Sequence, residues 1–279
     1  MKIKLLLLVL LAGVMASAQS QPRRIISLVP NVTEILFAIG AGPQVVAVSN
    51  YDVEPPEVRS LPTVGALIDP DTEKILSLRP DLVITYGSQT DLHAQLQRAS
   101  IPYFDYRHGG LDHIMVTMRA LGARTGHADQ AEKAARRLQA SIDAVKARVA
   151  GKPRPRTLLV FGREPGSLRN IYASAGRGFL HDMLVIAGGE DVLSDIDKES
   201  AQVSTEMILA RKPEVILELN AATRLNEADL KAVTDPWMTL SSVPAVRNKR
   251  VVILNGPGLT VPGPRVIDGI EKMAKALHP

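Results

Sequence analysis

The stretch Thr72-Glu73-Lys74-Ile75-Leu76-Ser77-Leu78-Arg79-Pro80-Asp81-Leu82-Val83-Ile84 returns as Thr205-Glu206-Met207-Ile208-Leu209-Ala210-Arg211-Lys212-Pro213-Glu214-Val215-Ile216-Leu217. Thr, Glu, Ile, Leu and Pro are identical, and Arg79/Lys212, Asp81/Glu214, Leu82/Val215 and Val83/Ile216 pair like with like. Each copy reads as a helix, a turn holding proline, and an apolar strand. The two threonines are 133 residues apart, far beyond the period of a solenoid or propeller. One copy per half at domain-sized spacing implies two similar α/β lobes. A cleft between such lobes is a common ligand site.

Outward from the first copy, Arg24 to Val29 reads as a buried strand ended by Pro30, and Asn31 or Thr33 caps a helix that stops at Gly40 and Gly42. Val45 to Val48 is a strand, Tyr51 to Pro62 a loop, and Leu82 to Tyr86 the strand that closes the repeat. A helix over Asp91 to Ala99 and a strand over Tyr103 to Tyr106 follow. Around the second copy, Thr157 to Phe161 is a strand, a glycine-rich loop runs through Gly166, and a helix near Gly178 to Ala187 is closed by Gly188-Gly189. Val215 to Leu219 and Arg250 to Leu254 are strands, and Pro264 to Leu277 is a terminal helix. This alternation argues for parallel sheets.

Between the copies, Ala131, Ala134, Ala135, Leu138, Ile142, Val145 and Val149 share one helical face, with Arg136, Arg137, Asp143, Lys146 and Arg148 opposite. That is one amphipathic helix near 128–149, roughly 33 Å long at 1.5 Å per residue, placed to connect the lobes. The organisation expected is a signal segment over 1–18, an amino-terminal lobe over 23–126, a connecting helix over 127–151 and a carboxyl-terminal lobe over 152–279.

Lys2 and Lys4, the apolar run Leu5 to Val14 and Ala16-Ser17-Ala18 form a secretory signal with its cleavage site. The run is too short to span a bilayer. The chain has no cysteine, which excludes a lipid-anchor cysteine, disulfides and thiolate metal sites. Without Lys2 and Lys4 the 33 basic residues become 31 against 29 acidic ones, too balanced for a nucleic-acid binder. The expectation is an exported, soluble monomer.

Enzyme motifs are missing: there is no G-x-S-x-G and no P-loop. The six histidines are scattered. His108, His113 and Asp105 have no regular metal-ligand spacing and read as solvated loop residues, so no metal site and no cofactor is expected. Candidate ligand contacts are the loops at strand ends, where open α/β sheets bind ligands. These are Pro30, Asn31, Tyr51, Gly65, Ala66, Leu67, Tyr86 and Gly87 in the first half, and Phe161, Gly162, Arg163 and Gly258 in the second. Each segment also satisfies ordinary turn chemistry. Glu73 and Glu206 open the repeated helices. A single such acid complements a helix dipole. The same acid at the same place in both halves also suits two arginines of a two-fold symmetric partner.

At this point the residues resemble a family. Arg24-Ile25-Ile26-Ser27-Leu28-Val29-Pro30-Asn31-Val32-Thr33-Glu34-Ile35-Leu36, Val64-Gly65, the repeat itself, Gly188-Gly189-Glu190, Ser204-x-Glu206, Trp237 with Val243-Pro244-Ala245-Val246, and Gly263-Pro264-Arg265 resemble the iron-complex and cobalamin class of ABC-transporter substrate-binding proteins. The likeness covers residues 23–279 and is greatest to the cobalamin-binding branch. It implies two Rossmann-like α/β lobes with parallel-type sheets, joined by one long helix around a shallow cleft. It also implies a periplasmic protein that delivers cobalamin, haem or a ferric siderophore to an inner-membrane permease. The family's docking glutamates match Glu73 and Glu206. Leu67 and Tyr86-Gly87 stand where some cobalamin binders place tryptophans. The reading is a corrinoid-capturing binding protein that performs no chemistry. The alternatives are a ferric siderophore or haem binder, with Arg107, Arg163 and Arg177 available to carboxylates or hydroxamates. From other classes come a secreted hydrolase or chelatase and a structural periplasmic partner.

Overall fold

The computed structural model describes residues 21–220, 225–256 and 258–279, so the signal segment lies outside the described residues. Strands β1 (Ile25–Ser27), β2 (Val45–Val48), β3 (Leu82–Tyr86) and β4 (Tyr103–Tyr106) form one all-parallel sheet in the order β2-β1-β3-β4. Helices α1 (Pro30–Ala38), α2 (Thr72–Ser77) and α3 (Thr90–Arg98) connect them, and α4 (Asp112–Thr125) follows. Alternation of strand and helix forces this result, because parallel neighbours need a crossover.

Helix α5 spans Ala128–Val149, and its apolar face is buried at Ala131, Ala134, Ala135, Leu138, Ile142 and Val145. It packs on α4 from the first half and on α6 (Phe179–Ile186) and α10 (Val266–Leu277) from the second. Arg119 pairs with Glu132 at 2.7 Å across the α4–α5 seam, and Arg148 pairs with Glu271 of α10.

The second sheet contains β5 (Arg156–Gly162), β6 (Ile171–Ser174), β7 (Glu190–Asp191), β8 (Ser200–Val203), β9 (Val215–Asn220) and β10 (Val251–Asn255). Its order is β10-β9-β5-β6-β8, with β7 beside β5. The parallel core of this sheet carries an antiparallel ribbon at one side. The strands β10, β9 and β5 are parallel, but β6 is antiparallel to β5 and β8 antiparallel to β6. Only eight residues separate β5 from β6. That connection is too short for a crossover, so the chain must turn back as a hairpin. Helices α7 (Thr205–Arg211), α8 (Glu227–Thr234) and α9 (Pro244–Arg247) complete this half.

The repeat holds as structure. Asp71 caps α2 by accepting the N–H of Lys74 at 2.9 Å, and Ser204 caps α7 by accepting that of Met207 at 3.2 Å. Both turns pass through a left-handed residue before proline, Arg79 and Lys212, each with φ of 49°. After the turn, Asp81 accepts the N–H groups of Arg23 and Arg24, both at 2.8 Å, and Glu214 accepts that of Arg156 at 2.9 Å. In return the Arg24 guanidinium donates to the Leu78 carbonyl at 2.7 Å, and that of Arg156 to the Arg211 carbonyl at 2.8 Å. Register follows: Ile25 pairs with Leu82 and Thr157 with Val215.

Three cores divide the described residues. Leu28, Ile75, Val83 and Leu96 fill the outer layer of the first half. Leu158, Ile208, Ile216 and Trp237 fill that of the second. The third core is shared. It runs from Ile25, Ile35 and Ile114 through Leu138 and Ile142 to Leu159, Met183 and Ile270. The lobes therefore do not have separate inner cores; helices α1, α4, α5, α6 and α10 bury their apolar faces together between them.

Candidate functional site

Both repeated helices precede a strand of their own sheet and run back against it, so their first turns lie at the carboxyl ends of the strands. The same end carries the aromatic residues. Tyr86 and Tyr106 close β3 and β4 as directly paired residues, with ring centroids 6.2 Å apart. His108, just beyond, leans on Tyr86 at 5.1 Å and meets Tyr106 edge-on at 5.5 Å. His113, on the first turn of α4, lies 5.9 Å from Tyr106. Gln89 is buried behind this wall. It accepts the Tyr86 N–H at 2.8 Å and donates to the Leu67 carbonyl at 2.8 Å, fixing the end of β3 to the 65–70 turn.

In the other lobe, Phe161 is the penultimate residue of β5 and lies 6.4 Å from Tyr172. Beside it Gly162 faces open space. Glu199, before β8, contributes its negative field to the tyrosine–histidine wall: it raises the pKa of Tyr86 and of Tyr106 and opposes the lowering of His108. Loss of solvent is the larger cause in each case. It pushes Tyr106 up to about 12, raises Tyr86, and lowers His108, which leaves that imidazole neutral at neutral pH. The wall is thus uncharged, aromatic and rich in donors and acceptors.

The sequence-chosen residues fall into groups. Tyr51, Gly65 and Ala66 line an open hollow of about 760 Å³ on the first lobe, with Ile68 and Lys74. Tyr51 is 67% exposed. Leu67 packs its side chain on the shared core. Gly87 lies under Arg107, whose exposed guanidinium pairs with Asp105 at 3.3 Å. Pro30 is the first residue of α1. The hollow over Tyr51 does not extend to Tyr86 or Phe161.

Three choices are engaged in bonds or packing within the protein. Arg163 turns inward. Its side chain is 4% exposed and pairs with buried Glu218 at 3.0 Å. It also donates to the Ser167 carbonyl at 2.8 Å and to the Val233 carbonyl, and lies 5.5 Å over the Trp237 ring. Glu218 is completed by the Trp237 indole N–H at 2.6 Å. A buried ion pair in which each guanidinium nitrogen already has a protein partner holds the lobe together. Asn31 is buried and donates to the Pro262 carbonyl at 3.2 Å, so it joins the lobes. Gly258 has φ of +80°, and a Cβ there would lie 2.4 Å from the Arg265 carbonyl oxygen, so it is a turn required by packing. Beneath them Glu34 accepts two hydrogen bonds from Arg265, at 2.6 and 3.0 Å, across the same boundary. Arg177 is exposed and pairs with Asp197 at 3.5 Å.

Sequence reasoning missed Tyr106 and Glu199 and set aside His108 and His113. The available signal was the position of Tyr106-Arg107-His108 at a strand end. Glu73 and Glu206 are both exposed in first turns. The Ser204 hydroxyl beside Glu206 lowers its carboxyl pKa.

The periplasmic binding protein family matches residues 25–257. The chain belongs to it. This is a family of binding proteins, not of enzymes. A vitamin B12-binding protein of Yersinia pestis is 27% identical over 271 residues, covering 96% of this chain and 91% of that protein. The periplasmic vitamin B12 binding protein of Vibrio cholerae superimposes with a TM-score of 0.76 at 28% identity, over 92% of this chain and 96% of that one. A periplasmic haem-binding protein of Roseiflexus sp. RS-1 gives 0.75 at 28% identity, over 92% and 98%. These likenesses agree with the two-lobe α/β architecture. Among the described residues no helix is long and apolar enough to cross a membrane.

Proposed function

We propose that this periplasmic binding protein captures cobalamin or a related corrinoid between its lobes and delivers it to an inner-membrane ABC permease. The observation that carries the reading is the neutral aromatic wall of Tyr86, Tyr106 and His108 at the strand ends of one lobe, in a chain alike over nine-tenths of its length to vitamin B12-binding proteins. A corrinoid offers a broad apolar ring edged with amides. Aromatic faces cover the ring, and Glu199 and the tyrosine hydroxyls suit the amides. The metal arrives with the ligand. Tyr51, Gly65, Ala66, Leu67, Gly87, Phe161 and Gly162 complete the proposed contact set. The helix α5, packed on both halves, is the proposed connector between lobes over 23–126 and 152–279. Glu73 and Glu206 are the proposed grips on permease arginines.

Haem is the second reading. It is favoured by the close approach of two tyrosines and two histidines, groups that ligate iron. The siderophore reading loses Arg163, which is committed inside the lobe. A thermal-shift panel with cobalamin, cobinamide, haem and ferric siderophores tests the choice. A ligand at 100 times its Kd stabilises by about 2.7 kcal/mol. A shift with corrinoids alone supports the first reading; a shift with haem alone replaces it with the second.

A further inference from the structure

Asp182 stands in the first turn of α6, in the second half of the chain, yet its carboxylate serves the first half. Its Oδ2 accepts the backbone N–H of Leu111 at 2.8 Å. Leu111 is the capping position of α4 and makes no side-chain cap of its own. A helix start leaves N–H groups without helical partners and favours a negative charge. Here Asp112 supplies one negative charge from the helix's own first turn, and Asp182 adds a second from across the lobe boundary. The approach is close: a Cβ on Gly110 would lie 2.8 Å from Asp182 Oδ2, and one on Gly109 would lie 2.7 Å from the His113 Cβ. Two consecutive residues without side chains let the chain settle between Asp182 and His113. The segment so held, 107–111, carries His108, whose ring rests on Tyr86 and Tyr106. The Asn31–Pro262 and Glu34–Arg265 bonds also cross between the lobes, but they engage α1 rather than this loop.

We infer that Asp182 is a positioning residue of the cleft: it ties the His108 loop of one lobe to a helix of the other, so the aromatic wall keeps its shape only while the lobes keep their spacing. The inference rests on the reading of this cleft as the ligand site. It also supplies a route for release. A partner that grips both lobes and parts them breaks the Asp182–Leu111 bond, frees the loop and dismantles one wall of the site.

Residue-resolved hydrogen exchange and cyanocobalamin dissociation, measured on wild type, Asp182→Asn and Asp182→Ala, test this. Asparagine keeps an oxygen to accept the Leu111 N–H; alanine removes it. In Asp182→Ala, exchange at Leu111 and the first turn of α4 is expected to accelerate about tenfold, with β1 and β5 unchanged. Cyanocobalamin is expected to leave faster by a similar factor, and Asp182→Asn to stay near wild type. Unchanged Leu111 exchange in Asp182→Ala overturns the latch. Faster exchange with unchanged dissociation overturns the positioning role. If Asp182→Ala does not fold, Gly110→Ala displaces the carboxylate while leaving Asp182 in place and is expected to give the same pair of changes. A wild type that binds neither cyanocobalamin nor hemin removes the ligand reading and the positioning role with it, while the exchange result still decides whether the latch exists.

Discussion

The two lobes share a scaffold and differ at their working edges. In each, a capped helix ends in a left-handed turn before proline, an arginine braces that turn, and an acid after it receives the N–H of that arginine. In each, the next strand enters the sheet in the same register. The differences begin on the far side of the repeated pair. The first lobe continues with parallel β2 and places a tyrosine–histidine wall at its strand ends. The second continues with the antiparallel ribbon β6–β8 and places Phe161 beside a sealed Arg163–Glu218–Trp237 network. The repeated parts are those a two-fold symmetric partner can read. The unrepeated parts are those an asymmetric ligand needs. On the proposed reading, docking and ligand choice reside in different residues and are separable by mutation.

The largest expected effect lies in the repeated part. If Glu73 and Glu206 grip permease arginines as proposed, reversing both to Lys sets like charges against them, at a cost of several kcal/mol. Transport in a reconstituted system should nearly stop while ligand affinity stays at the wild-type value, and each single reversal should fall between. Normal transport by the folded double variant would reduce the two acids to helix-start residues.

Next is the unrepeated network. Arg163→Ala strands Glu218 in the interior and should cost about 3–5 kcal/mol in denaturant-induced unfolding. An affinity loss without that destabilisation would return Arg163 to the ligand.

A smaller effect compares the lobes directly. Arg24→Ala and Arg156→Ala remove equivalent hydrogen bonds to turn carbonyls, and each should destabilise by about 1 kcal/mol. Clearly unequal losses in unfolding would break the equivalence of the two turns.

The smallest effect sits in the seam. Arg119 and Arg136 hold the Glu132 carboxyl pKa down to about 2. A carboxylate whose folded pKa is depressed stabilises above its unfolded pKa, and that stabilisation is lost as pH falls through the folded value. The stability difference between wild type and Glu132→Gln should therefore be present at neutral pH and shrink as pH falls from about 4.5 towards 2. A pH-independent difference would show that the pair does not act through charge.

Much of the scaffold was legible because it repeats. The repeated helix, turn and strand and helix Ala128–Val149 follow from residue pattern alone. Helix α4 was not read, because its apolar stripe includes Thr117, Gly122 and Thr125, which are buried but not hydrophobic. Strands β6 and β8 are four-residue segments too short to carry a period, and their pairing depends on a hairpin between them and β5. At the site, proximity to a strand end was legible and side-chain direction was not. Arg163 has the right position and the wrong orientation, because Glu218 and Trp237 lie on the chain 55 and 74 residues later. Glu199 has no local signal; only the folded ribbon carries it opposite the tyrosines.

The central claim is that a corrinoid binds between Tyr86 on one lobe and Phe161 on the other. Calorimetric titration of cyanocobalamin into wild type and into the Tyr86→Ala/Phe161→Ala double variant tests it most directly. The account predicts one-to-one binding to wild type with a negative heat-capacity change, weakened by about tenfold to a hundredfold in the folded double variant. One-to-one binding of hemin with no corrinoid heat, or a corrinoid affinity that the double substitution leaves unchanged, would contradict it.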